Sequence, residues 1–258
     1  MEITFDYHTH TVYSHGKGDI IDNAKAAKKA GLKGIAVTDH GFSHPAFGMK
    51  RKELDEMKRK CLEAEKETGV KVLLGIESNI LGVDGKTDVK KSDYIKLDVF
   101  LAGVHQFVRY DTFADYFRFF GANFFTSEWK IKPSERLIKN TTKAYVNAVK
   151  NNPIDIITHV NYKCFADPVE VAKVCADYGT LFEINTKKVH LSDEEWLKIL
   201  NTKVNFVIDS DAHDIDRVGD TLLADKLLSR VQIPEERILN ISGKIPTLRF
   251  AEFKRKNL

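Results

Sequence analysis

The stretch Phe5-Asp6-Tyr7-His8-Thr9-His10 is a short apolar run that ends in two histidines separated by one residue. Side chains on a β-strand alternate between its faces, so His8 and His10 should point to the same side. Six further apolar runs follow, and each ends in, or just before, a polar residue able to bind a metal. The seven runs span 2–7, 34–38, 71–77, 98–104, 154–158, 180–185 and 204–209.

Helical spacing of apolar residues fills the gaps between these runs. The helix candidates lie near 20–30, 50–68, 134–150, 168–178, 192–201 and 216–229. In one of them Asp167 is a suitable N-cap, Pro168 suits the first helical position and Gly179 suits the end. Alternating strands and helices predict parallel βαβ units. Because no Gly-rich dinucleotide-binding pattern is present, we predict a closed α/β barrel that forms one domain, 1–258.

Composition and charge point to an ordinary globular protein. The 258 residues are 43% hydrophobic and 30% charged, and the net charge of +3 is too small to argue for nucleic acid. Three cysteines without a C-x-x-C pair predict no disulfide framework and no thiolate zinc site. With neither a secretion signal nor a membrane-spanning run, we expect a cytoplasmic protein without a membrane partner. The basic segment 254–256 is interpreted as a solvated tail.

The polar residues at the strand ends form a candidate metal-ligand set. In a parallel barrel the carboxyl ends of all strands meet at one mouth, so ligands that are distant in sequence converge there. Imidazole and carboxylate together suit zinc, with manganese or iron as alternatives, and at about three or four ligands per ion they suffice for two or three ions. The set is His8, His10, His15, His40, Glu77, His105, His159, Asp211 and His213.

The charge of such a site indicates the reaction. Three divalent ions and two carboxylates, Glu77 and Asp211, leave a surplus of roughly four positive charges. Hydroxide and a phosphate ester would offset that surplus, and metal ions can generate the hydroxide at neutral pH. We therefore expect a metal-dependent phosphoric ester hydrolase that acts on a small phosphorylated metabolite. Asp39 is expected to orient a ligand from behind.

The motifs at these strand ends resemble those of the PHP (polymerase and histidinol phosphatase) superfamily. The resemblance implies a distorted seven-stranded β/α barrel with three metal ions, often zinc. It implies one ion on His8, His10, Glu77 and Asp211, a second on His15, His40 and His213, and a third on Glu77, His105 and His159. It also implies that Glu183 and Asn185 line the substrate site. The motifs are 6–11, 14–16, 38–41, 75–77 and 210–213.

Other polar residues near the predicted mouth are candidates for contact with the substrate. His44 is four residues beyond His40 and is predicted to touch a phosphate or to protonate the leaving alkoxide. Arg217 is the first choice for a phosphate contact, because a guanidinium binds phosphate oxygens in pairs. His190 is interpreted as a surface residue. The remaining basic candidates are Lys17, Arg109, Lys163 and Lys187.

An aromatic-rich insertion at about 106–133 departs from the compact members of the family. Its core, 107–129, holds 10 of the 26 aromatic residues of the chain. We expect it to form a lid or wall over the metals, or a contact in a homo-oligomer. The simpler alternative is that the rings pack on the top of the barrel. The ten are Phe107, Tyr110, Phe113, Tyr116, Phe117, Phe119, Phe120, Phe124, Phe125 and Trp129.

Several other functions stay open at the level of sequence. A histidinol-phosphate phosphatase is one alternative, since members with that activity also carry long insertions in this region. A nuclease is another, although the modest charge offers no extended strand-binding surface. An amidohydrolase is a further alternative, because amidohydrolases also begin with His-x-His. Their usual pattern lacks a third early histidine such as His15 and a late pair such as Asp211-x-His213. A non-catalytic metal-binding module would be expected to lack some of the ligands, and none is missing here.

Overall fold

Seven parallel β-strands form one sheet, in which each strand pairs with its neighbour in the chain. The computed structural model describes residues 1–110, 112 and 116–258, and all side chains of these except those of 118 and 120. The strands are β1 (Phe5–Thr9), β2 (Gly34–Val37), β3 (Lys71–Asn79), β4 (Val99–Gly103), β5 (Ile156–Ile157), β6 (Leu181–Asn185) and β7 (Phe206–Asp209). Each of the seven predicted runs overlaps one strand.

The first and last strands meet and nearly close the sheet into a barrel. The backbone N–H of His10 donates to the carbonyl of Ala212 at 2.8 Å, and Thr9 and Ala212 form a parallel bridge. The side chain of Asp209 also accepts from the backbone N–H of Tyr7 at 2.7 Å. The prediction of a seven-stranded, TIM-like α/β barrel is therefore confirmed. The assignment of 1–258 to one domain stays a prediction.

Eight α-helices occur in the described part of the chain. They are α1 (Ile20–Lys29), α2 (Leu54–Thr68), α3 (Ala122–Glu128), α4 (Glu135–Asn151), α5 (Pro168–Tyr178), α6 (Asp193–Leu200), α7 (Leu222–Leu228) and α8 (Arg249–Asn257). Helix α5 begins and ends as predicted, since Asp167 accepts from the N–H groups of Val169 and Glu170 and Gly179 is left-handed. None of these helices is both long and apolar enough to cross a membrane.

Three helix assignments from the sequence need correction. Helix α7 begins only at Leu222, because a 3-10 turn and the left-handed Gly219 (φ +77°) precede it. Helix α3 was not predicted. The basic C-terminal segment, interpreted as a solvated tail, belongs to α8, whose Phe250 is fully buried, while Arg255 and Lys256 are exposed. The Lys254 ammonium in that helix donates to the carbonyl of Leu97.

The core consists of two apolar layers that leave the barrel mouth to polar residues. A smaller cluster draws residues such as Tyr7, Leu101 and Val207 from six of the seven strands and therefore fills the barrel. A larger cluster packs the helices on the outside of the sheet. Each buried large aliphatic side chain adds roughly 1.5–3 kcal/mol to the stability of the folded protein. The two layers therefore give the strand ends a rigid frame.

Candidate metal centre

The two histidines of β1 point to the same place, as strand alternation predicts. Their Nε2 atoms are 3.1 Å apart and both side chains are buried. The pairing of β1 with β2 shifts register between Asp6 and Thr9, so the strand is irregular where it presents this pair. Two imidazole nitrogens facing each other in a buried site are the arrangement expected of ligands to a common cation.

Glu77 lies at the centre of the predicted ligands. Its Oε1 is 2.6 Å from Nε2 of His159 and 3.1 Å from Nε2 of His105, while its Oε2 is 2.9 Å from Nδ1 of His40. His8 and His10 approach the same carboxylate to 3.3 and 3.6 Å. Burial alone would raise the pKa of Glu77, but the charges of the surrounding histidines, His105 foremost, hold it well below its usual value. Glu77 is thus a carboxylate shared by five imidazoles.

The remaining three predicted ligands lie on the other side of His10. Asp211 Oδ1 is 3.3 Å from His10 Nε2 and 3.2 Å from His213 Nδ1. Asp211 has a positive φ of 48°, a strained conformation that aspartate tolerates better than most residues. The ring of His15 stacks on His40 at 4.8 Å and lies 4.1 Å from His213. All nine predicted ligands therefore converge.

Unsatisfied polar atoms show that the cluster suits cations. His40 Nδ1 and Glu77 Oε2 are buried without a hydrogen-bond partner although they lie 2.9 Å apart, and both ring nitrogens of His105 are also unpartnered. Such atoms are costly unless something else binds them. Burial lowers the pKa of His10 well below its usual value, that of His15 to about 4 and that of His40 to about 3. Neutral imidazoles are the form that binds metals.

Three groups of ligand atoms are compact enough to hold an ion each. They are His8, His10 and Asp211; His10, His40 and His213; and His40, Glu77 and His105. These groups overlap the three sets implied by the family resemblance. They differ in that the first group lacks Glu77, and in the other two His10 and His40 take the places of His15 and His159.

A carboxylate behind the ligands fixes the orientation of His8. Glu183 Oε1 lies 2.6 Å from His8 Nδ1, and its Oε2 accepts from the backbone N–H of His159 at 2.6 Å. Asn185 donates to Glu183 and to Asp211. Glu183 and Asn185 were predicted to line the substrate site. Their contacts instead place them behind the ligands, where they hold His8, His159 and Asp211 in position.

Asp39 supports the loop that carries the early ligands. It accepts hydrogen bonds from the backbone N–H and the hydroxyl of Thr11, at 2.7 and 2.6 Å, and from the hydroxyl of Ser14. The Ser14 hydroxyl oxygen is 3.4 Å from His10 Nδ1. Asp39 therefore acts on His10 through Ser14 rather than by direct contact, which refines the prediction that it orients a ligand.

Comparison with known proteins agrees with this architecture. The sequence profile of the PHP domain family matches residues 6–194. The chain belongs to the PHP family. A relative named as a probable phosphatase of Caldanaerobacter subterraneus subsp. tengcongensis is 32% identical, with 94% of this chain and 89% of the relative covered. Another, named as a probable phosphatase of Shewanella baltica, is 31% identical, with 94% and 88% covered.

A solved structure of similar fold is the histidinol phosphate phosphatase of Lactococcus lactis, determined with zinc, L-histidinol and phosphate. It superposes with a TM-score of 0.60 at 16% identity, and the match covers 89% of this chain and 92% of that one. At this identity the likeness concerns the fold, and it supports the PHP barrel.

Above the ligands of this PHP chain lies a cavity of about 190 Å³. His44 and Lys163, two of the predicted substrate contacts, line it. His44 Nδ1 accepts from the backbone N–H of Phe47 at 3.0 Å, so its Nε2 carries the proton in the neutral form. Burial lowers the pKa of His44. His44 is therefore better suited to donate a hydrogen bond than to act as an acid.

Three predicted phosphate contacts do not line the cavity. The Arg217 guanidinium donates to the carbonyl of Thr186 at 2.9 Å and pairs with Asp220, so it holds a loop together. The exposed Lys17 pairs with Asp214. The backbone N–H of Arg109 donates to the carbonyl of Ser43, and its side chain does not reach the cavity. Arg217 was the first choice for a phosphate contact, but it lies in a 3-10 turn after the last ligands and does not line the cavity.

Lys187, a lower-ranked candidate than Arg217, is the cation closest to the ligands among the described side chains. Its Nζ is 3.3 Å from Asp211 Oδ1 and 2.9 Å from His213 Nδ1. His190 is not a surface residue, since it is half-buried with its ring 4.9 Å from that of Tyr162, and burial lowers its pKa to about 3. Tyr162 lines the cavity and was not predicted. Its place in the loop directly after His159 was the available signal.

The aromatic-rich segment has two different surroundings. Phe107 lines the cavity, and Phe119 is buried in the core. Phe117 and Trp129 are 67% and 69% exposed. Phe113 lies outside the described residues, as does the side chain of Phe120. One end of the segment thus forms a wall of the cavity, while the remainder buries Phe119 and presents Phe117 and Trp129 to the outside.

Proposed function

We propose that this PHP-family phosphatase hydrolyses small phosphate monoesters at a site for three divalent ions, zinc first, with manganese or iron as alternatives. The observation that carries the proposal is the single carboxylate of Glu77 within 3.6 Å of nitrogens from five histidines, two of which have no hydrogen-bond partner. A buried cluster of carboxylates and imidazoles with unpartnered atoms is costly to the fold unless cations bind it.

The family division assigns the ligands. His8, His10, Glu77 and Asp211 would hold one ion, and His15, His40 and His213 a second. Glu77, His105 and His159 would hold the third. Bound divalent ions supply a nucleophile from water at neutral pH and offset the charge that builds on phosphoryl oxygens. No protein nucleophile is then required.

The chain's own residues bind and orient the ester. Lys187 lies beside Asp211 and His213, where its ammonium can contact a phosphoryl oxygen. His44 and Lys163 line the cavity farther along its wall. We infer that the Nε2–H group of neutral His44 donates to the phosphate. The cavity of about 190 Å³ is smaller than most ligand sites and favours a small ester over an oligonucleotide.

The test combines metal analysis with a phosphatase screen. Purified protein should carry more than one transition metal per chain and should release phosphate from small monoesters in the presence of zinc or manganese. Histidinol phosphate and short oligonucleotides belong in the same screen, because turnover of one of these alone would favour the corresponding alternative. Less than one metal per chain, or no turnover of any ester, would contradict the proposal.

A matched pair of histidine variants sharpens this test. His10→Asn removes a nitrogen that faces His8 and Asp211, and it should abolish turnover and lower the bound metal. His190→Asn changes a half-buried histidine outside the predicted ligand set and should keep the metal content of the unmodified protein. Equal metal content in the two variants would contradict the ligand assignment.

A further inference from the structure

The cavity wall outside the predicted ligands carries positive charge. Lys163 and Lys187 reach it from the loops after β5 and β6, and among the described residues that line it the one carboxylate is Asp211, a predicted ligand. We propose that the preferred monoester has a leaving group with a negative charge of its own, such as a carboxylate, and that Lys163 binds this charge. This inference rests on the phosphatase function proposed above.

The two lysines occupy different parts of the cavity. Lys187 lies at the ligands, within 3.3 Å of Asp211 Oδ1, and so belongs to the phosphoryl end. The Nζ of Lys163 lies 3.3 Å from Glu128 Oε1, and both of these side chains are more than 40% exposed. Because Lys187 pairs with a predicted ligand and Lys163 pairs with a carboxylate outside the ligand set, Lys163 lies toward the end of the cavity that the leaving group of a bound ester would occupy.

The backbone around Lys163 is held in an uncommon conformation. His159, Asn161 and Lys163 have positive φ values of 26°, 69° and 49°. Positive φ is costly for a lysine and persists only where neighbouring groups enforce it, which happens most often at functional sites. Here the side chain of Gln106 donates to the carbonyl of Lys163 at 3.2 Å, and Asn161 Oδ1 accepts from the N–H of Ala166 at 2.8 Å. The loop thus holds Lys163 at the cavity.

Glu128 does not cancel the preference for an anionic leaving group. It lies behind Lys163 and does not line the cavity. An ion pair between two such exposed groups is weak, so the lysine can exchange it for a substrate carboxylate. A leaving group with an ammonium would instead meet Lys163 and Lys187 with no free carboxylate among the described lining residues. Like charges in such proximity oppose binding.

The experiment compares three small monoesters that differ in the charge of the leaving group. The metal-loaded full chain is assayed with 3-phosphoglycerate, glycerol 3-phosphate and phosphoethanolamine, whose leaving groups are anionic, neutral and cationic. We expect kcat/KM to fall in that order, with a difference on the order of tenfold between the first and the last. Turnover of all three with equal kcat/KM would overturn the inference and leave the phosphatase function intact.

Charge variants identify the responsible residue. Lys163→Ala should remove most of the preference for the anionic ester, and Lys163→Glu should reverse it. Lys203→Glu makes the same charge change at an exposed position before β7, at the opposite end of the barrel, and should keep the preference. An unchanged preference in both Lys163 variants would overturn the inference. If no monoester is hydrolysed at all, the proposed function itself fails.

Discussion

The Nδ1 atom of His8 lies 2.6 Å from Oε1 of Glu183, and both side chains are buried. In neutral His8, with Nδ1–H donating to this carboxylate, Nε2 keeps its lone pair and faces His10 and Glu77. The second oxygen of Glu183 fixes the backbone of His159. One carboxylate on β6 therefore orients ligands from β1 and from the loop after β5.

Replacing Glu183 should weaken metal binding without removing any ligand. In Glu183→Gln the amide no longer accepts as strongly from His8 and His159, and we expect about 10- to 100-fold weaker metal affinity. Chelator competition measures it, with circular dichroism to show that the barrel is folded. Glu170→Gln, which affects only an exposed pair with Lys173, is the matched control. Equal affinities in the two variants would mean that Glu183 has no orienting role.

Thr158 should also hold a predicted ligand, Glu77, in position. Its hydroxyl donates to Glu77 Oε1 at 3.0 Å, and Gly103 leaves the space for it, since a side chain there would lie 2.4 Å from this hydroxyl. Thr158→Val keeps the shape and removes the donor. We expect turnover and metal affinity to fall by roughly tenfold.

Thr180 provides a control for that change. It is buried like Thr158, but its hydroxyl donates to the carbonyl of Ile154, before β5, away from the ligands. Thr180→Val should lower the free energy of unfolding by about 1–3 kcal/mol and leave metal affinity unchanged. If Thr158→Val had the same effects as Thr180→Val, the hydroxyl would be a structural group only.

Much of the fold could be predicted from the sequence because the signal is local. Every strand is a short apolar run followed by a polar residue, and even β5, only two residues long, is separated from His159 by Thr158 alone. The missed helices gave weaker signals. Helix α3 is rich in aromatics without helical spacing, and α8 is held by the single fully buried Phe250 and by Lys254 bonding a carbonyl far away in the chain.

The ligand set was predictable for the same reason, whereas its surroundings were not. Barrel geometry brings strand ends together whatever follows them, so His8, Glu77 and His159 converge from their sequence positions alone. Side chains in the loops after the strands depend on turns that the sequence does not reveal. Arg217 turns toward Thr186, while the lower-ranked Lys187 turns toward Asp211.

The two parts of the aromatic segment should respond differently to substitution. Phe107 lines the cavity, so Phe107→Ser should raise KM severalfold and leave the oligomeric state unchanged. Phe117 and Trp129 are exposed, so replacing both with serine should change the oligomeric state and leave KM unchanged. Steady-state kinetics and light scattering after size-exclusion chromatography measure the two effects. If neither variant altered either property, the segment would only cover the barrel top.

Asp155 connects the C-terminal helix to the barrel. Its two oxygens accept from the backbone N–H groups of Phe100, at 2.9 Å, and Phe250, at 2.7 Å. Burial raises the pKa of Asp155 from 3.8 to about 7, although these hydrogen bonds oppose the rise. The folded protein therefore keeps a proton that the unfolded chain releases near pH 4. The stability that Asp155 contributes is complete below that pH and is lost as the pH rises through about 7.

Asp155→Asn isolates this effect because an amide does not titrate. The free energy of unfolding of the unmodified protein, minus that of Asp155→Asn, should fall between pH 4 and 7 by at most about 1.4 kcal/mol per pH unit and then level off. Urea denaturation of chelated samples at pH 5, 6, 7 and 8 measures the difference. Asp177→Asn, at an exposed position, should follow the unmodified protein at every pH. A constant difference for Asp155→Asn would mean that Asp155 is ionised in the folded protein throughout this range, held by the N–H groups of Phe100 and Phe250.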